Sequence, residues 1–69
     1  MLKLPERLHS LRKERNLRQE DAAKELHISL NSYCRYERGE REPNASVLVQ
    51  MADFYNVTLD YLVGRSEER

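Results

Sequence analysis

The chain has 69 residues, with twelve basic and twelve acidic side chains and no net charge. That length allows one domain, 1–69, with a core near the lower limit of independent stability and no room for a large enclosed active site. No apolar run is long enough to span a membrane and no signal-peptide pattern opens the chain, while a lone Cys34 rules out an intrachain disulfide framework and favours a reducing, cytoplasmic setting.

Every apolar run has helical spacing. Pro5 suits a helix start, because its missing N–H would be unpaired there anyway, and Leu4, Leu8 and Leu11 recur along a helix reaching about Arg15. Asn16 tolerates a left-handed cap conformation and ends it. A second helix is predicted from Gln19 to Leu26. Arg18 in its N-cap slot has no side-chain oxygen to offer, but Glu20 and Asp21 set negative charge against the positive helix end. A break follows at Leu26-His27-Ile28. The third helix has an N-cap in Ser29 and a left-handed stop in Gly39. Glu40 to Pro43 form a polar connector. Asn44 caps a fourth helix with a stripe of Val47, Leu48, Met51, Ala52 and Tyr55, and Asn56 closes it. Thr58 caps a fifth helix, containing Leu59, Leu62 and Val63 and ended by Gly64; residues 65–69 form a polar tail with nothing to bury. The fold class is therefore all-α, a bundle of five short helices.

The segment 19–38 carries the most information. Two helices this short and close, poor in large residues where they meet, must cross steeply: a helix-turn-helix, whose second helix enters the major groove of DNA. A small side chain is needed at the closest approach, and Ala23, with Ala22 beside it, supplies one. Tyr33 and Tyr36 fall on the inward side of the third helix, so residues 30, 31, 34, 35 and 38 share the outward side. Asn31 can pair bidentately with adenine and Arg35 with guanine, while Leu30 can meet a thymine methyl. Gln19 brings an amide and a helix N-terminus to a phosphate, and Arg18, Arg38 and Arg41 are further backbone candidates. Cys34 reads as a small filler near the groove. His9, His27 and Cys34 lack any ligand spacing, so neither a metal nor another cofactor is expected.

With LRKERNLRQEDAA, RYERG, EPN and TLDYLVGR in place, the chain resembles the phage repressor/Cro-type (XRE-like) helix-turn-helix family from about Leu8 to Gly64. The resemblance implies a lambda repressor-like DNA-binding domain. It also implies a largely buried ion pair between Arg12 and Glu37. His27 departs from the glycine usual at this turn, and Tyr33 from the usual aliphatic residue. Glu40 and Glu42 stand where members often place cations. The resemblance, with the local density of apolar residues, puts a dimer surface at Tyr55, Val57, Tyr61 and Leu62.

The implied activity is that of a transcriptional regulator, a repressor bound as a homodimer to a palindromic operator, its half-sites about 34–36 Å apart. No effector domain or small-molecule effector is expected; concentration, a protein partner or proteolysis would regulate it. Charge balance weighs against this, because phosphate neutralisation supplies most non-specific affinity. It favours the alternative, a protein-interaction module such as an antitoxin or anti-repressor using the same fold with weak DNA binding. An enzyme is not expected, since no paired-carboxylate, nucleophile–base or phosphate-loop constellation is present.

Overall fold

Local capping chemistry divides the chain into its elements. In a computed structural model describing residues 3–69, five helices follow one another: α1 (Leu4–Glu14), α2 (Gln19–Glu25), α3 (Leu30–Arg38), α4 (Ala45–Tyr55) and α5 (Leu59–Val63). No strand occurs among the described residues. Ser29, Asn44 and Thr58 each accept a hydrogen bond from a backbone N–H three residues on, satisfying an otherwise orphaned donor. At α2 the N-cap is Arg18, and the reciprocal half of the cap does the work: the Arg18 backbone N–H donates to Asp21 Oδ2 at 3.0 Å.

The helix stops are left-handed, as the sequence predicts. Asn16, His27 and Asn56 have φ of 57°, 57° and 55°. His27 thus adopts at the α2–α3 turn the conformation for which glycine is the usual solution, with a modest strain cost. At Gly64, φ is 91° and a Cβ would lie 2.7 Å from Lys3 Cβ, so the residue must be small as well as left-handed.

Helix α1 packs on α3 and α5, α2 on α3, and α4 on α5. Leu4, Leu8 and Leu11 bury one side of α1, while Ala22 and Ala23 are buried in α2 beside Leu26. Tyr33 is fully enclosed. Its hydroxyl meets that of Tyr55 at 2.6 Å, so its partner lies in the core and not at an edge. Burial, the largest influence on each, raises the pKa of both phenols.

Two expectations need correction. Tyr55 and Leu62, assigned to a dimer surface, are buried in the monomer core at 3% and 0% exposure. Tyr55 shares an α4 face with Leu48 and Met51, and that helical phase drives it inward. The polar tail stays mostly exposed but turns back on the bundle. Arg69 Nη1 donates to Glu14 Oε1 at 2.9 Å, and the Thr58 N–H donates to the Arg69 carbonyl at 3.2 Å.

Both alanines at the α2–α3 crossing are buried. Ala23→Leu should overpack it and cost about 1–3 kcal/mol, read as a lower denaturant midpoint in a urea melt.

Candidate nucleic-acid interface

The candidate face is set from the inside by one ion pair. Arg12 rises from α1 among the buried leucines, and Glu37 occupies the last turn of α3. Their side chains are 8% and 4% exposed, with Arg12 Nε donating to Glu37 Oε2 at 2.7 Å and Nη2 to Oε1 at 3.2 Å. The remaining Arg12 nitrogen, Nη1, donates to the Leu17 carbonyl at 2.8 Å, which ties the α1–α2 turn to the same fork. Arg12 and Glu37 therefore lie together as the resemblance implies.

Glu37 extends this contact towards the surface. Gln19 Nε2 donates to Glu37 Oε1 at 3.2 Å, and Cys34 Sγ donates to Gln19 Oε1 at 3.2 Å. The chain Arg12–Glu37–Gln19–Cys34 thus runs from α1 through α3 and the start of α2, and back to α3. Cys34 fills the space beside Gln19, and its thiol orients that amide. His9 Nδ1 also lies 3.4 Å from Glu37 Oε1. Burial is the largest influence on Glu37 and opposes its charge. Hydrogen bonds from Arg12, Tyr33 and Gln19 together outweigh burial, and the carboxyl pKa is lowered.

Outside this network α3 presents a continuous surface. Tyr33 and Tyr36 are buried, whereas Leu30, Asn31, Arg35 and Arg38 are exposed. Leu30 is 46% exposed with nothing packed over it to justify an apolar side chain there. Asn31 and Arg35 have no side-chain partner among the described residues, leaving both hydrogen-bonding forks available.

The arginines expected at the DNA backbone are engaged. Arg18 meets Glu20 Oε1 at 2.7 Å and forks onto both oxygens of Asp21 at 3.0 Å each. Arg38 Nη2 meets Glu40 Oε1 at 3.1 Å. The Arg41 guanidinium lies 5.9 Å from the centre of the Tyr36 ring. Gln19 is half-buried, its amide turned towards Glu37 and Cys34.

Val57 and Tyr61 are only half-buried, and Leu59 between them is 43% exposed. Tyr61 is flanked by cations. The Arg7 guanidinium sits 3.9 Å from its ring centre and the Arg69 guanidinium 5.2 Å. Arg7, like Arg12, is a buried charged residue, and no motif marks it. It donates to the Tyr61 carbonyl at 2.7 Å, to the Ser66 carbonyl at 3.1 Å and to Glu67 Oε2 at 3.1 Å, clamping the end of α5. A signal was present: Arg7 stands one turn from Leu4 and Leu11 on their own face of α1. No group of side chains suited to a metal ion occurs among the described residues, and no helix among them is long and apolar enough to cross a membrane.

The short α2 and α3 joined by a left-handed turn, with the outer face of α3 open, define a helix-turn-helix protein. The chain belongs to the helix-turn-helix family, whose model matches residues 8–62. It is 36% identical over 66 residues to the HTH-type transcriptional regulator ImmR of Bacillus subtilis, covering 96% of this chain and 52% of that protein. It is 44% identical over 64 residues to the cryptic phage CTXphi transcriptional repressor RstR of Vibrio cholerae, covering 93% and 57%. The chain thus spans a little over half the length of these relatives. Among solved structures, the P22 c2 repressor in complex with a synthetic operator superposes with a TM-score of 0.82 at 30% identity, covering 86% of this chain and 89% of that one. The fold is therefore that of the repressor-type DNA-binding domains.

The ion pair gives a pH-dependent expectation. Because the Glu37 pKa is lowered on folding, its contribution is present above the unfolded carboxylate value of about 4.3 and is lost as pH falls through the lower folded value. Glu37→Gln leaves a buried guanidinium uncompensated and should cost about 3–5 kcal/mol at neutral pH. Urea midpoints of variant and parent should converge as the pH drops below about 4.

Proposed function

We propose that the protein is a sequence-specific DNA-binding transcriptional regulator, a repressor, acting from the cytoplasm as a homodimer on a palindromic operator with α3 in the major groove. The observation that carries this reading is the outer face of α3, where Asn31 and Arg35 stand exposed with open hydrogen-bonding forks beside Leu30. Arg35 has the geometry to pair with guanine and Asn31 with adenine; Leu30 suits a thymine methyl. Support comes also from relatives named as transcriptional regulators and repressors, and from a fold neighbour solved on an operator.

Arg18, Gln19, Arg38 and Arg41 are assigned to the DNA backbone. Gln19 opens α2 at the positive end of the helix, where a phosphate is favoured. Repression follows from occupying promoter DNA, so the mechanism requires no catalytic group, cofactor or small-molecule effector. With Tyr55 and Leu62 inside the core, the dimer surface narrows to Val57 and Tyr61, extended by exposed Leu59. A pair of such domains joins two short readings into one specific site. A regulatory protein partner belongs to the same reading. The net neutrality of the chain favours a second reading, an interaction module such as an antitoxin or anti-repressor with weak DNA binding.

Selection from a random duplex library separates the two. The parent should enrich a two-fold symmetric sequence. Arg35→Ala should lose about 1–3 kcal/mol of binding and relax preference at one position per half-site, with its thermal midpoint nearly unchanged. Recovery of no preferred sequence at low salt supports the interaction module instead.

Arg38→Ala should behave differently. It should weaken binding to all sequences and flatten the salt dependence by about one unit of slope, without shifting base preference. Titrations of the selected duplex and a scrambled one across a salt series check this.

A further inference from the structure

We propose that Glu20 and Glu40 are specificity determinants, suppressing binding to non-operator DNA by neutralising, at a distance, the same arginines that grip phosphates at close range. The proposal rests on the DNA-reading function above and adds to it a role for the acidic side chains of that face. Three observations carry it. Arg18 and Arg38, at the two ends of the helix-turn-helix, are each paired within the chain, Arg18 to Glu20 at 2.7 Å and to Asp21 at 3.0 Å, Arg38 to Glu40 at 3.1 Å. Arg35, between them on the outer face of α3, has no such partner among the described residues. The chain as a whole carries no net charge that could offset this local neutralisation.

The physical consequence depends on separation. A loosely held, non-specific complex is bound almost entirely by phosphate electrostatics. At that range an arginine beside a carboxylate acts as a small dipole and contributes little attraction. In a docked complex the base contacts of α3 fix the protein against the backbone. Each arginine then reaches a phosphate directly, and its carboxylate swings aside. The pairs are exposed, with side-chain exposures of 74% and 56% for Arg18 and Glu20 and of 56% and 53% for Arg38 and Glu40, so the exchange costs little. The carboxylates thus weaken non-operator binding more than operator binding and widen the ratio between them. Asp21 shares the pairing but also caps α2 through the Arg18 N–H, so it is unsuitable as a probe.

The test is the double variant Glu20→Gln/Glu40→Gln, with its fold checked by circular dichroism. Affinities of parent and variant for the selected duplex and for a scrambled duplex are measured by fluorescence anisotropy between 50 and 200 mM salt. The variant leaves Arg38 without a carboxylate while Arg18 keeps Asp21, so the non-specific salt slope should steepen by almost one and the variant's gain on scrambled DNA should grow about threefold from the highest salt to the lowest. Its gain on the selected duplex should be smaller, and the ratio of the two affinities should fall. An equal gain on both duplexes, or no gain on either, overturns the proposal while leaving the DNA-reading function standing. A parent without sequence preference overturns both.

Discussion

The bidentate contact between Arg12 and Glu37 is the constraint on which the rest depends. Three short helices must be held in one geometry, and α2 brings only Ala22 and Ala23 to the core. Packing alone leaves α3 attached through Tyr33 and Tyr36 along one edge. The buried guanidinium fixes its far end to α1 and, through the Leu17 carbonyl, to the turn that launches α2. Buried ion pairs add little net stability, because desolvation offsets their attraction. What this one supplies is geometry: removing either partner strands a charge, so the pair admits few alternative docking angles for α3.

From there the surface follows. Glu37 accepts from Gln19, and Gln19 accepts from Cys34, so the first residue of α2 is registered against α3 by the carboxylate that anchors α3. The open face is then left to Leu30, Asn31 and Arg35, none of which the core needs. Of the arginines assigned to this face, Arg18 and Arg38 carry intramolecular counterions, Arg41 lies near the Tyr36 ring and Arg35 is open. A chain of zero net charge can therefore present a cation locally without a strong long-range field.

The helices were legible because their signals are local. Ser29, Asn44 and Thr58 cap where their hydroxyl or amide chemistry says they should, and Asn16, His27 and Asn56 take the left-handed stops. The Arg12–Glu37 pair was legible only through the family resemblance, since 25 residues separate the partners and neither has a local marker. Contacts spanning still more of the chain were missed. Arg7 reaches Tyr61, Ser66 and Glu67 across more than fifty residues, and Arg69 reaches Glu14. Nothing near Arg7 announces a buried clamp except its place on the leucine face. For Tyr55 and Leu62 the resemblance and the local density of apolar residues point to a surface, whereas the spacing of Leu48, Met51 and Tyr55 puts the tyrosine on the core side of α4. The engagement of Arg18 and Arg38 depends on side-chain direction, which spacing alone does not determine.

The account stands on α3 being the surface that meets DNA. The most direct measurement is the amide and arginine side-chain NMR spectrum of the labelled protein, followed as the selected duplex is added. The largest shifts should fall on residues 30, 31, 34 and 35 and on the first turn of α2. The Arg35 side-chain resonance should also move when a single guanine in each half-site is replaced. Shifts concentrated on α4 and α5, with Arg35 unmoved by that replacement, would contradict it.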